Sequence, residues 1–327
     1  MLATLAGLAA AIWAFGSIGF ANVLGAAMRL GPFAFLLYCA VSVAVFAILG
    51  GAWLASSPGE RASRLGAFTW ARMLREAVAD LLPFSQIGGI VIGTRWLMQS
   101  GVAAARVYSS LVVDLTTEMA AQLIFTIFGL AMMASLLMEA SVAASLRPMI
   151  LGGTGIMAAV AVLFFLAQRP AMLLAEKISG HFLPPAATVA VAGLREELGA
   201  AYARRGHVLI AFILNLAGWI GTALGAWLVL ACMGVPVSGW SVLSIESLIY
   251  TIRSIAFILP GAIGAQEAGY ALAAPLFGIP VEAALALSLV KRGRDIAIGL
   301  PTLIVWQALE GRRIWKRRFA ADRADIG

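Results

Sequence analysis

Residues 281–309 read VEAALALSLVKRGRDIAIGLPTLIVWQAL, and this stretch decides the fold. It is long enough to cross a bilayer, because the hydrocarbon core needs about 20 helical residues. Its two ends are apolar, whereas its middle carries the charged run KRGRD at residues 291–295. Each unpaired charge at the centre of a bilayer costs about 2.5–3.5 kcal/mol on insertion scales, so these side chains must be paired or hydrated. The stretch therefore predicts a membrane-spanning helix whose charged residues interact with polar groups inside the membrane.

The composition of the whole chain also indicates a membrane protein. Hydrophobic residues make up 62% of the 327 residues and charged residues only 12%, whereas soluble domains are about 25% charged. A soluble globule could not hide this much apolar surface, and a disordered chain has the opposite balance. The apolar runs are long and do not alternate, so they predict helices rather than a barrel.

Six apolar stretches are long enough for full transmembrane helices, and two more are interrupted by proline. The six predicted spans lie near residues 2–24, 33–55, 102–138, 148–168, 207–232 and 281–309. The interrupted stretches are residues 66–100, broken at Pro83, and residues 242–277, broken at Pro260-Gly261. Proline removes a backbone donor and breaks a helix. Each interrupted stretch therefore predicts a re-entrant helical hairpin, which membrane depth tolerates only inside protein or beside a cavity.

Basic residues predict the orientation of the chain. Fifteen lysines and arginines lie on one predicted side, in residues 55–80, 169–206 and 312–327, and only Arg29 and Arg147 lie on the other. By the positive-inside rule both termini are cytoplasmic. The same rule explains the net charge of +7, so we expect no nucleic-acid partner. On the cytoplasmic side we expect an amphipathic surface helix within residues 170–205 and a basic tail at 312–327.

The two interrupted stretches form an internal repeat with a constant offset of 177 residues. The offset pairs Pro83 with Pro260, Gly101 with Gly278, Asp114 with Lys291, and Glu118 with Asp295. Each half has three full spans. Because this number is odd, the second half has the opposite orientation in the membrane. We predict one transmembrane domain over residues 1–327, with inverted halves of about 1–140 and 148–311. This pattern is typical of secondary transporters; the alternative is a relic of duplication with a purely structural use.

Polar and glycine residues at the breaks and in the charged spans are the candidates for a groove that handles a polar group. The candidates are Pro83, Gln86, Gly88, Arg95, Asp114, Glu118, Arg253, Pro260, Gly261, Gly264, Gln266, Glu267, Lys291, Arg292, Arg294 and Asp295. The alternative is a buried network that only fixes the hairpins in place. Two glycine runs, Gly218/Gly221/Gly225 and Gly152/Gly153/Gly155, predict helix-packing faces instead.

The charged run needs counter-charges. Within the run, Asp295 can pair with Lys291 four residues away or with Arg292 three residues away. We predict that Glu267 balances a further cation, Lys291 or Arg292, across the groove. Asp114 and Glu118, which share one helix face, are additional candidates for the same task.

Three stretches carry a resemblance to a known family. They read ILPGAIGAQEAGYALAAPLFGI at 258–279, LALSLVKRGRDIAIGLPTLIVWQ at 285–307 and LLPFSQIGGIVIGTRWLMQSGV at 81–102. The first two resemble the flippase-like membrane domain related to lysylphosphatidylglycerol synthases. The third, with its Pro-Phe-Ser-Gln-x-Gly-Gly run at 83–89, resembles the hopanoid-biosynthesis-associated branch of that family.

The resemblance implies a multi-pass protein of the bacterial inner membrane that moves hopanoids, which are pentacyclic triterpenoid lipids, towards the outer membrane. Membrane lipids are then its partners, together with proteins of lipid biosynthesis or transport. We expect no enzyme activity, no cofactor and no metal. Three alternatives remain: a phospholipid or polyprenyl-lipid flippase that grips phosphate with cations, an intramembrane enzyme, and an accessory protein of lipid biosynthesis. The cations would be Arg253, Lys291, Arg292 and Arg294.

Cysteine labelling tests the predicted orientation. We expect Ala190→Cys to react with a membrane-impermeant maleimide only from the cytoplasm, and Val237→Cys only from outside, because basic residues stay inside. The native Cys39 and Cys232 are first replaced by serine. Labelling of both positions from one side would contradict the inverted repeat.

Overall fold

The computed structural model describes residues 20–82, 85–137, 185–255 and 264–324, with Ala262 and single positions between 152 and 167. Within these residues every regular element is a helix. The α-helices are α1 Phe20–Met28, α2 Gly31–Ala55, α3 Leu65–Leu81, α4 Ser85–Gln99, α5 Ala104–Leu137, α6 Pro185–Ala203, α7 Arg205–Cys232, α8 Gly239–Ile255, α9 Ala265–Ala273 and α10 Val281–Ala324. Short 3-10 turns lie at Ala62–Arg64 and Ala274–Phe277.

Three of the described helices are long and apolar enough to cross a membrane. They are Gly31–Ala55, Ala104–Gly129 and Arg205–Cys232, and they match the predicted spans at 33–55, 102–138 and 207–232. The predicted span at 281–309 is one unbroken helix, although the charged run sets it apart from these three. The predicted span at 148–168, apart from single positions, and most of the one at 2–24 lie outside the described residues. The count of six spans therefore stays a prediction.

Both interrupted stretches have the predicted order of helix, break and helix. The first break separates α3 from α4, and the second separates α8 from α9. Pro83, Pro260 and Gly261 themselves lie outside the described residues. Gly93 of α4 lets the first pair pack closely, because a Cβ there would lie 3.0 Å from the Ala71 carbonyl oxygen. Gly269 does the same in the second pair, where a Cβ would lie 2.8 Å from Ile249 Cδ1.

Each broken unit leads into a long helix through a left-handed glycine. Gly101 (φ +89°) follows α4 and precedes α5, and Gly278 (φ +71°) follows α9 and its 3-10 turn and precedes α10. Side chains rarely adopt such φ values, so glycine is the residue that allows both turns.

Helices α2 and α7 pack along the predicted glycine face. A Cβ at Gly221 would lie 2.9 Å from Val45 Cγ2, and one at Gly225 would lie 3.1 Å from Tyr38 Cε2. Gly218 faces Leu49 in the same way, so this predicted face is confirmed.

At the second glycine run, Gly152/Gly153/Gly155, no atom of the described residues lies within 4 Å of a Cβ built at Gly152 or Gly155. Gly153 and most of residues 138–184 lie outside the described part of the chain. The second packing face therefore stays a prediction.

Helix α6 covers the second part of the predicted amphipathic segment. Its Leu198 and Ala201 are buried against Val113 of α5. The apolar face therefore packs on a neighbouring helix. Residues 170–184 lie outside the described part of the chain, and contact of this segment with the membrane surface stays a prediction.

Because α2 and α7 approach each other closely, we predict that a large side chain in their contact destabilises the protein. Gly221→Leu should lower the free energy of unfolding by about 1–3 kcal/mol, because extra methylenes in a packed site force side chains and backbone to shift. Gly199→Leu is the matched control, since Gly199 is exposed and no atom of the described residues lies within 4 Å of a Cβ built there. Thermal unfolding in detergent micelles measures both variants. Equal losses in the two would contradict the packing of α7 on α2.

Candidate functional site

A cleft of about 100 Å³, partly open to the exterior, lies among α2, α3, α7 and α8. Small and apolar residues of α2 and α7 form much of its lining. Four aromatic residues, Tyr38, Phe46, Trp219 and Tyr250, also line it. The charged lining residues are Arg72, Glu76, Asp80, Glu118, Arg253 and Arg294. The cleft thus offers both apolar surface and charge within a bundle of apolar helices.

Helix α3 contributes three of these charges from one face. Arg72, Glu76 and Asp80 follow one another at intervals of four residues, which places them on the same side of a helix. The groove candidates predicted from the sequence did not include them. The signal was present in the sequence, because three charges at helical spacing in an apolar limb indicate a polar face.

The first charge cluster joins α3 to α5 and is called the Glu118 cluster. Arg72 Nη2 lies 2.5 Å from Glu118 Oε1 and 3.0 Å from Glu76 Oε1. Arg75 Nη2 donates to Glu118 Oε2 at 2.8 Å. Asp114, which is completely buried, lies 3.5 Å from Arg75 Nη1. One carboxylate therefore holds two guanidinium groups, and the cluster fixes the first broken unit on the long helix that follows it.

This cluster corrects two expectations. Asp114 and Glu118 bind the arginines of α3 and do not balance the charged run at 291–295. Arg72 and Arg75 are buried, although the count of cytoplasmic basic residues included them. The count without them is thirteen against two, so the asymmetry remains. The reason for the error is that both arginines lie on the inner face of α3, where carboxylates of α5 meet them.

The second cluster surrounds Lys291 and is called the Lys291 cluster. Lys291 Nζ donates to Glu246 Oε2 at 2.5 Å and to Tyr270 Oη at 2.8 Å. The Tyr270 hydroxyl donates in turn to Glu246 Oε1. All three residues are at most 1% exposed. The rings of Tyr250 and Tyr270 lie 5.2 Å and 5.4 Å from the ammonium nitrogen, which adds cation–π attraction.

The partners within the charged run also differ from those expected. Lys291 pairs with Glu246 and Arg292 pairs with Glu267, so neither cation forms the local pair with Asp295 that the spacing allows. Asp295 lies 2.9 Å from Arg294 Nη2 instead. An interval of four residues allows an ion pair on one helix. Lys291 nevertheless pairs with the fully buried carboxylate of Glu246 on α8, because attraction between charges is stronger where water does not screen them.

A chain of hydrogen bonds connects the cleft to the second break. Arg253 Nη2 donates to Asp80 Oδ1 at 2.9 Å, and Arg253 Nη1 donates to Gln266 Oε1 at 2.7 Å. Gln266 then donates to Ser288 Oγ at 2.8 Å, and Ser288 donates to Glu267 Oε1 at 2.9 Å. Arg253 thereby links the end of α3 to the start of α9.

Glu267 ends this chain beside the break. Arg292 Nη2 lies 3.3 Å from Glu267 Oε1, so the predicted pairing of Glu267 with the charged run is confirmed, with Arg292 as the partner. The other carboxylate oxygen accepts from the Gly264 backbone N–H at 2.7 Å. This N-terminal cap anchors α9 where the chain re-enters a helix.

The structure separates the candidates into three groups. Glu118, Arg253 and Arg294 line the cleft. Asp114, Gly264, Gln266, Glu267, Lys291, Arg292 and Asp295 belong to the surrounding charge clusters and hydrogen-bond chain. Arg95 contacts Glu310 near the end of α10 and is half-exposed, and Gly88 packs towards Val78. Pro83, Pro260, Gly261 and the side chain of Gln86 lie outside the description.

Residues 1–301 match the protein family described as Lysylphosphatidylglycerol synthase TM region. The curated proteins contain no significant match to the chain, and neither do the solved structures. The match covers the cleft, both charge clusters and both broken units.

The buried Lys291–Glu246 pair predicts a non-additive loss of stability. Lys291→Met should cost about 3–5 kcal/mol of the free energy of unfolding, because it leaves a buried carboxylate without its cation. The double variant Lys291→Met/Glu246→Gln should lose less than this single variant.

Arg106→Met is the matched control for the single variant. Arg106 pairs with Glu60 at 3.0 Å, and its side chain is 30% exposed; such a pair contributes about 0–1 kcal/mol. Unfolding in detergent measures all three variants. A double variant less stable than Lys291→Met would refute the pairing.

Proposed function

The chain belongs to the lysylphosphatidylglycerol synthase transmembrane family, and on that premise we propose that it moves a polar lipid across the membrane through the cleft. The family and the long apolar helices make it a multi-pass membrane protein of a lipid-related process. The observation that carries the proposal is the charged lining of the cleft. Ionisable groups inside a membrane bundle are costly and mark pathways for polar groups.

An inverted repeat is the second element of the proposal. Helices α2 and α7 end at Ala55 and Cys232, and α5 and α10 begin at Ala104 and Val281. Both pairs are 177 residues apart, as are the left-handed glycines that precede α5 and α10. These bounds support two related halves, and inverted halves can open a shared cleft alternately to the two sides.

Short limbs support re-entrant hairpins. Helices α3, α4, α8 and α9 have 17, 15, 17 and 9 residues. At 1.5 Å per residue the longest of them measures about 26 Å, which is shorter than the hydrocarbon core of about 30 Å. On this proposal the breaks lie within the membrane, next to the cleft.

We place the protein in the bacterial inner membrane with both termini in the cytoplasm, in accord with the thirteen-to-two basic asymmetry. The proposed cargo is a hopanoid, supported by the resemblance of the run at residues 83–89. The headgroup would pass along the charged cleft while the apolar body stays among lipid tails. The small, apolar residues of α2 and α7 would face that body.

A phospholipid or polyprenyl-lipid flippase is the alternative, and it needs a cation free to bind phosphate. The four cations proposed for that task are Arg253, Lys291, Arg292 and Arg294, and they contact Asp80, Glu246, Glu267 and Asp295 respectively. A phosphate would have to displace a carboxylate from its partner. This arrangement favours an uncharged cargo.

Reconstitution of the full chain in phosphatidylcholine vesicles tests the function. A hydroxylated hopanoid is placed in both leaflets, and its removal by excess acceptor vesicles is followed. With the protein, the inner-leaflet fraction should leave at least tenfold faster than from empty vesicles. Arg253→Gln should lower that rate about tenfold, because it breaks the contact between the end of α3 and the start of α9.

Arg106→Gln, which alters an ion pair outside the cleft, is the matched control and should keep the rate. A change in the mass of the lipid would indicate an enzyme. Movement of phosphatidylglycerol but not of the hopanoid would indicate the phospholipid alternative. Movement of neither lipid would leave the role of an accessory protein and refute the proposal.

A further inference from the structure

Several buried polar atoms at the cleft have no hydrogen-bond partner among the residues that the structure describes. Four of the ten such atoms belong to lining residues: Tyr38 Oη, Arg72 Nε, Trp219 Nε1 and Arg294 Nε. In native proteins 90% or more of buried polar groups have a partner, and a bound molecule is one explanation of an exception. A ligand in the cleft would supply these four atoms with partners.

The chemistry of these atoms limits the ligand. Guanidinium and indole N–H groups only donate hydrogen bonds, whereas the tyrosine hydroxyl can donate or accept. The ligand must therefore present several oxygen acceptors. Phosphates, sugars and polyols all meet this first condition.

The charge balance separates these classes. Three cations and three carboxylates line the cleft, and each cation already lies within ion-pair distance of a carboxylate. A net anion would meet Glu76, Asp80 and Glu118 without gaining an unpaired cation. Like charges brought together oppose binding, so a phosphate is disfavoured.

A carboxylate beside the cleft supplies a hydrogen-bond acceptor, in contrast to the N–H donors of the lining. Arg294 and Asp295 also line a small crevice that adjoins the cleft. Asp295 Oδ1 is buried and has no hydrogen-bond partner among the described residues, although Arg294 Nη2 lies 2.9 Å away as an ion pair. An acceptor of this kind suits a hydroxyl, which donates to Asp295 while it accepts from a neighbouring N–H.

We infer that the cleft binds an uncharged, hydroxyl-rich headgroup, a polyol or sugar, through Tyr38, Trp219, Arg294 and Asp295. This inference rests on the proposed function and adds the chemical class of the headgroup. Arg294 Cζ lies 5.8 Å from the Tyr38 ring centroid, so these two residues act on the same part of the headgroup. The four unpaired atoms of the cleft are covered by neighbouring groups in this structure, so the inferred binding requires side-chain rotations that expose them to the ligand.

Two fluorescent lipids with identical chains test the headgroup class. Monoglucosyl diacylglycerol is neutral and hydroxyl-rich, and phosphatidylglycerol carries an anionic phosphate; both bear the fluorophore on an acyl chain. The full chain in phosphatidylcholine vesicles should move the glucosyl lipid between leaflets at least tenfold faster than phosphatidylglycerol.

Two substitutions remove one hydrogen-bonding group each. Tyr38→Phe and Trp219→Phe should each slow the glucosyl lipid about threefold to tenfold, the effect of one lost hydrogen bond, and leave the slow phosphatidylglycerol rate unchanged. Tyr108→Phe and Trp240→Phe are the matched controls, because both residues are exposed and lie outside the cleft lining. Both controls should keep the rates of the unaltered protein.

The outcomes are separable. Equal or faster movement of phosphatidylglycerol overturns the headgroup inference and leaves lipid translocation standing. An equal slowing of both lipids in Tyr38→Phe makes the hydroxyl a structural group and also overturns the inference. If neither fluorescent lipid moves but the hopanoid does, the inference fails while the proposed function holds, and if no lipid moves, both fail.

Discussion

Pairing of charges inside an apolar helical bundle is the constraint on which the rest of this structure depends. A buried ion loses its hydration, and only a well-placed partner with further hydrogen bonds makes up the loss. Lys291 meets this requirement with one carboxylate, one hydroxyl and two aromatic rings. Glu118 meets it by holding two arginines. Because partners lie on different helices, each pair also fixes how two helices pack.

The pairs are arranged so that the cleft and the breaks are mechanically connected. Arg253 holds Asp80 of the first broken unit and Gln266 of the second. From Gln266 the hydrogen bonds continue through Ser288 to Glu267, which caps α9. A group that enters the cleft and competes for Arg253 therefore acts on both broken units at once. This follows from the contacts themselves, since no other side chain in the described part of the chain bridges those two residues.

Much of the architecture could be predicted because proline, glycine and hydropathy act locally. The two breaks, the long helix after each and the glycine face of α7 all follow from residue types and spacing. Partner choice could not be predicted in the same way. Lys291 and Asp295 have ideal spacing on one helix, yet Lys291 pairs with Glu246 because the fold brings α8 and α10 within side-chain reach of each other. That arrangement results from the packing of the whole bundle, which the sequence of one helix does not determine.

The cleft was also only partly foreseen. Glu118, Arg253 and Arg294 were found because charge in an apolar span is conspicuous. Tyr38 and Trp219 were missed, since an aromatic residue in such a span looks the same whether it faces lipid or a cavity. Their unpaired polar atoms become visible only when the surroundings of each atom are known.

Helix α10 has a geometric consequence beyond the bilayer. Its 44 residues make a rod of about 66 Å at 1.5 Å per residue, whereas a membrane with its headgroups is about 40–45 Å thick. The charged run lies 10 to 14 residues from its start, and Glu310 further along is held by Arg95 and Gln99 of α4. The charged run and Glu310 lie on opposite sides of the middle of this helix, with Glu310 no farther from the middle than the run is. When such a helix tilts about its middle, α4 therefore receives the tilt as a displacement in the opposite direction that is no larger than that of the charges.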